Sequence, residues 1–108
     1  MKINEKNISY HQNDSHKGGN LIDESNGALN GFCMGISEYF ATEFGTEGMH
    51  DDQEGFYVID GCGTAKIGDE IFHIEKGDSF IVPANTPHVL KKDENSKTLK
   101  VLWAHGAI

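Results

Sequence analysis

An all-β sandwich or barrel is the fold class that this chain of 108 residues predicts. Short segments rich in Ile, Val, Phe, Tyr and Thr alternate with turn signals such as Asn26-Gly27 and Gly68-Asp69. No segment carries a sustained apolar stripe at helical spacing. A chain of this size hides about two-thirds of its extended surface on folding, which suffices for one compact core. We therefore expect a single β domain.

The strands are expected between the turn signals, in chain order. They are predicted at 32–44 (one or two strands), 55–60, 64–67, 70–75, 79–82, 88–92 and 98–105. The 55–60 segment is apolar at both alternating positions, as in a strand that is covered on both faces. Residues 1–20 form a polar N-terminal arm, which is either frayed or paired with a neighbouring chain, and residues 21–108 form the barrel domain.

The charge balance excludes some classes of partner. The net charge is -8, and all nine basic residues are lysines. Nucleic acid and anionic membrane need concentrated positive charge, so neither is expected as a partner. The chain also lacks a run of 18 apolar residues and the apolar core of a signal peptide, which predicts a cytoplasmic protein. Cys33 and Cys62 are interpreted as reduced, packed thiols.

Three polar residues at predicted strand ends form the candidate site. His50 and Glu54 flank a predicted hairpin loop at 51–53, and His88 follows a Pro-rich loop. A folded barrel could bring them into one mouth. Two imidazoles and a carboxylate suit a divalent transition metal and leave coordination positions open for water, dioxygen or substrate. The alternative is a hydrogen-bonded polar cluster without metal.

The spacing of these residues resembles the first cupin motif. In that motif two histidines one residue apart precede a Glu and then a Gly. His50, three residues, Glu54, six residues and Gly61 match from the second histidine onward. Gly48 stands at the place of the first histidine and cannot ligate.

The second cupin motif is matched in part. Gly77, Pro83 and His88 stand at the family's spacing, whereas Asn85 replaces its Gly and Lys92 its Asn. The resemblance implies a jelly-roll barrel of antiparallel strands, commonly dimeric, with metal inside one open end. It implies that His50, Glu54 and His88 are three of the usual four ligands, for Fe, Mn, Ni, Zn or Cu. Several cupins with eroded motifs bind no metal.

The pocket wall is predicted from strand parity. Phe56 and Val58 share parity with Glu54 and would form an apolar wall if Glu54 points inward. The alternative for both is plain core packing. His73 is interpreted as a partly buried strand residue that could line the cavity.

The other histidines receive structural interpretations. His105 is expected to be structural or exposed, and His11 and His16 are expected to be solvated in the polar arm. Cys62 is expected in a turn between Gly61 and Gly63, away from the cavity.

Three functions are compatible with this pattern. The first is a metal-dependent enzyme that acts on a small polar organic substrate. The second is a metal-free module that binds or senses a metabolite, and the third is a structural oligomer without a ligand. We expect a homodimer, since the polar arm could add a strand to a partner's sheet and cover its edge.

Overall fold

Strands dominate the computed structural model, which describes residues 1–106. The strands are β1 (His11–Gln12), β2 (His16–Ile22), β3 (Cys33–Tyr39), β4 (Gln53–Ile67), β5 (Glu70–Glu75), β6 (Ser79–Val82), β7 (His88–Lys92) and β8 (Leu99–Gly106). The only helical elements among these residues are two 3-10 turns, Glu5–Asn7 and Glu24–Asn26. The all-β prediction is confirmed. Within residues 1–106, no helix has the length and apolar character that crossing a membrane requires.

Two antiparallel sheets share the long strand β4. The first has the order β1-β2-β3-β8-β4-β6, and the second has the order β7-β4-β5. The register of β4 against β8 shifts between Val58 and Asp60, where β4 passes from one sheet to the other. Gly61 follows with a φ of +85°, and a Cβ there would meet the Thr98 carbonyl. Such a bulge followed by a glycine bends a strand sharply, and the sheets curl into a jelly-roll barrel.

The core lies between the two sheets. Its buried members are Tyr39, Phe56, Val58, Ala65, Ile67, Ile74, Val82, Leu90, Leu99 and Val101. Burial of each large apolar side chain stabilises the fold by about 1.5–3 kcal/mol. Phe56 and Phe80 stack across the β4–β6 pair, with ring centroids 4.9 Å apart. These packed side chains lie beneath the polar residues of the barrel mouth.

The N-terminal arm joins the chain's own sheet. Strand β2 pairs with β3, and His16 lies opposite Tyr39. The division expected at residue 20 therefore falls inside a strand. Residues 16–20 of the arm, which were expected to be frayed or to pair with a neighbouring chain, thus pair within this chain and cover the edge of β3.

Candidate metal centre

The start of β4, the loop before it and the start of β7 bring His50, Glu54 and His88 together. His50 Nε2 lies 2.8 Å from Glu54 Oε1, and His88 Nε2 lies 3.2 Å from the same oxygen. Glu54 is buried, with 6% of its surface exposed. The three predicted ligands therefore converge on one point at the barrel mouth.

The outward nitrogens of both rings are held by backbone carbonyls. His50 Nδ1 lies 3.0 Å from the Asp52 carbonyl oxygen, and His88 Nδ1 lies 3.0 Å from that of Thr86. A carbonyl only accepts, so each Nδ1 carries a proton and donates it. In the neutral rings, each Nε2 then presents a lone pair to the Glu54 carboxylate. Two lone pairs facing an anionic oxygen require a positive charge between them, either protons or a metal ion.

The titration of the two rings reflects this demand. Burial lowers the pKa of His50, but the hydrogen bond to Glu54 and its negative charge outweigh it, so the pKa lies above its usual value. The pKa of His88 is raised in the same way, because Glu54 and the Thr86 carbonyl outweigh burial. The cluster thus attracts protons, the cations that a metal would replace.

Backbone hydrogen bonds fix the two loops to each other. Gly48 and His88 exchange N–H to C=O bonds of 2.9 Å in both directions. The Asn85 N–H donates to the His50 carbonyl over 2.7 Å. Asn85 has a φ of +60°, in the left-handed region that Gly favours and Asn tolerates. Asn85 therefore adopts a backbone conformation that a glycine at this position would also allow.

The predicted hairpin loop at 51–53 is not formed as expected. Strand β4 begins at Gln53, and His50 lies in an irregular segment whose neighbour Gly48 makes an isolated bridge to His88. The turn residues Asp51 and Asp52 fold His50 back onto Glu54 without a facing strand. The predicted proximity of His50 and Glu54 is confirmed, but the predicted hairpin is wrong, because His50 lies in a loop and not in a strand.

Asp52 links the cluster to a further histidine. Asp52 Oδ2 accepts a hydrogen bond of 2.8 Å from His105 Nδ1. Asp52 Oδ1 lies 2.6 Å from His50 Nδ1, but the ring N–H is aligned with the Asp52 carbonyl instead, so this buried oxygen accepts no aligned hydrogen bond within residues 1–106. Burial raises the pKa of Asp52, but the hydrogen bond and charge of His105, together with His50, lower it overall. The Asp52 carboxylate thus orients the His105 ring, and the Asp52 carbonyl orients the His50 ring.

Cys33 continues this line of polar contacts. Its Sγ lies 3.1 Å from His105 Nε2. Burial and the charges of Asp52, Glu54 and Asp23 raise the pKa of the Cys33 thiol. The thiol is therefore kept protonated, as expected for a packed rather than a nucleophilic cysteine.

A cavity of about 440 Å³ opens above the cluster. Its lining combines an apolar wall with hydroxyl, amide and imidazole groups. The lining includes Asn13, Ser15, His16, Asn20, Ser37, Tyr39, Thr46, Glu47, His50, Glu54, Phe56, His88, Val89, Trp103 and His105. No lysine lines the cavity within the described part of the chain, so an anionic group would meet no side-chain ammonium there.

The residues expected in the pocket wall are placed differently from one another. Phe56 lines the cavity. Val58 has no exposed surface and belongs to the core, because it lies deeper along β4. His73 lies on the outer face of the barrel, with 55% of its side chain exposed, and faces Asp93. Strand parity indicates the face of a residue but not its depth along a curled sheet.

Two cavity residues, His16 and His105, were missed by the sequence analysis. His16 is half-buried rather than solvated, and its ring lies 4.7 Å from that of Tyr39. Burial lowers its pKa, against weaker raising effects of Asp14 and Glu54. His105 stacks on His50 at 4.8 Å and pairs opposite Glu54 across β4 and β8. Both placements depend on long-range strand register, and no local pattern signals them. His11 is exposed, as expected.

The donor set fits a divalent metal ion. Each Nε2 is free of its proton in the neutral rings and faces the carboxylate, as metal-ligating histidines require. A Cβ built at Gly48 would lie 3.8 Å from His88 Nε2, in ordinary contact. The position of the absent histidine therefore opens onto the same point, and glycine leaves that side free.

Sequence similarity to known proteins covers the part of the chain that holds these residues. The cupin domain family model matches residues 41–105, which is more than half of the chain. Acireductone dioxygenase of Sulfurihydrogenibium sp. (strain YO3AOP1) is 41% identical over 59 residues, which cover 51% of this chain and 33% of that protein. Acireductone dioxygenase of Dictyostelium discoideum is 40% identical over 57 residues, which cover 48% and 39%. The chain thus spans between a third and two-fifths of the length of these relatives.

Similarity to solved structures extends over nearly the whole chain. The polyketide cyclase RemF from Streptomyces resistomycificus superposes with a TM-score of 0.83 at 16% identity, over 98% of this chain and 78% of that one. At such low identity the likeness concerns the fold alone. Together with the family match across both motifs, it shows that this chain belongs to the cupin domain family.

Proposed function

We propose that this protein is a metal-dependent enzyme of the dioxygenase type that acts on a small organic substrate. His50, Glu54 and His88 would hold a divalent transition metal, with Fe(II) as the first candidate. The observation that carries the proposal is the convergence of the Nε2 atoms of His50 and His88 on one oxygen of Glu54, at 2.8 and 3.2 Å. Two histidines and one carboxylate with open positions are typical of non-haem iron oxygenases.

The relatives support this choice of chemistry. Both are named acireductone dioxygenases, and the similarity to one of them covers about half of this chain. When bound, the metal would supply the redox centre that activates dioxygen or polarises a substrate oxygen. Mn, Ni, Zn and Cu remain alternatives for the same ligand set.

The size and lining of the cavity support a proposal for the substrate class. Its volume of about 440 Å³ suits a small molecule, and its apolar side is formed by Phe56 and Trp103. Trp103 Nε1 donates a hydrogen bond of 3.0 Å to Ser37 Oγ, which fixes the indole plane. Because no lysine lines the cavity within residues 1–106, we propose that the metal itself anchors the substrate through oxygen. We infer a compact substrate with neighbouring hydroxyl and carbonyl oxygens, such as an enediol.

Asp52 and His105 would act on the site indirectly. Asp52 holds His105 through Oδ2 and lies close to His50 through Oδ1. His105 also faces the cavity, so its ring would orient polar groups of the substrate while Asp52 fixes the ring. Asp52 is therefore a positioning residue in this proposal.

Oxygen uptake tests the proposal. Protein purified without an affinity tag and loaded anaerobically with Fe(II) should consume dioxygen when a small enediol is added, and His88→Ala should abolish the uptake. His11→Ala, which alters an exposed histidine outside the cavity, is the matched control. The proposed dioxygenase activity would be refuted if oxygen uptake survives His88→Ala. It would also be refuted if iron-loaded protein consumes no dioxygen with any enediol or catechol tested.

The second candidate is a metal-free module that binds a metabolite. Gly48 favours it, because this chain lacks a ligand at the place of the first motif histidine. In that case Glu54 would pair with protonated His50 and His88 rather than with metal. Metal-free protein whose melting temperature rises with one metabolite, and not with Fe(II), would support this function.

Assembly and location are proposals of the same kind. Tyr57 and Ile81 leave about half of their surface exposed on neighbouring strands, and Ile81 belongs to the edge strand β6. We retain a homodimer as the expected assembly, and a cytoplasmic location stays a prediction. Light scattering at micromolar concentration distinguishes the dimer from a monomer.

A further inference from the structure

A second cluster of ligand-type side chains lies on the outer face of the barrel. Cys62 Sγ, a ring nitrogen of His73 and a carboxylate oxygen of Asp93 all lie within 4.8 Å of one another. His73 Nε2 is 3.2 Å from Asp93 Oδ2. The three residues come from β4, from β5 and from the end of β7, which are neighbours in the smaller sheet.

The backbone around this cluster is fixed by hydrogen bonds. The Cys62 carbonyl accepts from the Asp93 N–H over 3.1 Å, and the Cys62 N–H donates to Ser96 Oγ over 3.2 Å. Lys92 Nζ donates to the carbonyl oxygens of Asp93 and Ser96, which closes the turn. Two of the three side chains therefore stand on a preorganised frame.

The remaining nitrogen of His73 also has an acidic neighbour. His73 Nδ1 lies 4.0 Å from Glu75 Oε1. This separation is too long for a hydrogen bond, but the nearby negative charge favours a cation at the ring. Glu75 lies outside the three-residue cluster and adds to the negative charge around it.

We propose that Cys62, His73 and Asp93 form a zinc site, with water as the fourth ligand. A thiolate, an imidazole and a carboxylate are the three ligand types that zinc accepts in tetrahedral sites. Tetrahedral bonds to sulfur, nitrogen and oxygen place ligand atoms about 3.3–3.8 Å apart. His73 Nε2 and Asp93 Oδ2 are separated by 3.2 Å, and all three ligand atoms lie within 4.8 Å of one another, so a small shift of the exposed His73 ring would bring them to these separations.

This site is distinct from the mouth cluster. His88 begins β7, and Asp93 directly follows its end, so about 16 Å of extended chain separates them. Cys62 and Asp93 are half-buried, and their side chains do not line the mouth cavity. Failure of one site therefore leaves the other testable.

Cobalt(II) spectroscopy tests the proposal. Reduced, chelator-treated protein titrated anaerobically with Co(II) should develop a thiolate-to-cobalt charge-transfer band that one equivalent of Zn(II) removes. The band should persist in His88→Ala and in Cys33→Ser and disappear in Cys62→Ser. His73→Ala should weaken Co(II) binding at least about tenfold. A band that depends on Cys33 instead would assign the thiolate to the mouth region and overturn the proposal.

Protection from alkylation tests it without any variant. One equivalent of Zn(II) should slow modification of Cys62 by iodoacetamide at least about tenfold, as read by peptide mapping, and leave Cys33 unaffected. Equal rates for Cys62 with and without zinc would overturn the site. The same assay on Asp93→Asn, which keeps the thiol, should show reduced protection.

Discussion

The mouth cluster (His50, Glu54 and His88) and the outer cluster (Cys62, His73 and Asp93) contain similar groups in different surroundings. At the mouth, 8% of the Glu54 side chain is exposed and 11% of that of His88. On the outer face, 55% of the His73 side chain is exposed. An unpaired charge is costly at the mouth, whereas water screens it on the outer face. Burial, more than composition, determines which cluster requires a cation.

Loss of a mouth ligand is the largest effect expected. His88→Ala removes one of two imidazoles and should weaken Fe(II) binding by at least about a hundredfold, since ligand loss exceeds the effect of an outer partner. Competition with a chromogenic chelator measures it. His73→Ala should leave this affinity unchanged, and an equal loss in both variants would remove the distinction between the clusters.

A histidine at position 48, where the motif ligand is absent, should strengthen metal binding at the mouth cluster. Gly48→His places an imidazole where a Cβ stands 3.8 Å from His88 Nε2. We expect Fe(II) affinity to rise by about tenfold or more, because a fourth ligand joins a preformed set. Unchanged affinity in a folded variant would mean that position 48 does not open onto the metal.

Removal of the Asp52 carboxylate should have a smaller effect on metal affinity. Asp52→Asn keeps the shape but removes the anion near His50 and His105. Metal affinity should fall about tenfold, in line with other partners of metal-bound histidines. Calorimetric titration measures it, and wild-type affinity would exclude the positioning role.

The stability of the metal-free protein should depend on pH through Glu54. The raised pKa values of His50 and His88 stabilise the fold fully below the unfolded value of about 6.5, and this stabilisation is lost as pH rises through the folded values. The lowered pKa of His16 has the opposite effect, because the stability that it contributes rises with pH. This effect is present in the wild-type protein and in the Glu54→Gln variant. Glu54→Gln removes the negative partner of both rings, so it should lower the free energy of unfolding by about 1–2 kcal/mol at pH 6 and by less at pH 9.

Urea unfolding at both pH values measures this difference. A loss of stability in Glu54→Gln that is larger at pH 9 than at pH 6 would contradict the pairing of Glu54 with protonated His50 and His88. Adding metal should reduce the pH dependence of wild-type stability above pH 7, because the ion replaces the protons.

The smallest effect is expected on the outer face. His73→Ala removes an exposed pair with Asp93, so metal-free protein should change in stability by less than about 0.5 kcal/mol. Thermal unfolding measures the change. A loss above 1 kcal/mol would mean that the outer cluster is structural rather than open for a ligand.

Sequence patterns anticipated the fold better than the cavity. Strands at 70–75, 79–82 and 88–92 were predicted at their observed bounds, since Gly-rich turns and β-branched residues specify them locally. The mouth residues were predicted from motif spacing. They lie close together because the loop before β4, the start of β4 and the start of β7 meet at the barrel mouth. His16 and His105 enter the cavity through pairing of β2 with β3 and of β8 with β4, which local sequence does not encode. Val58 shows the same limit, since parity left both the pocket wall and core packing open, and its depth along β4 places it in the core.

Anomalous diffraction from crystals grown with Fe(II) would test the central claim most directly. The account predicts one peak above the iron edge about 2.0–2.3 Å from His50 Nε2, His88 Nε2 and a Glu54 carboxylate oxygen. Iron-loaded crystals in which no peak lies beside Glu54, or in which its oxygen still contacts both rings directly, would contradict it.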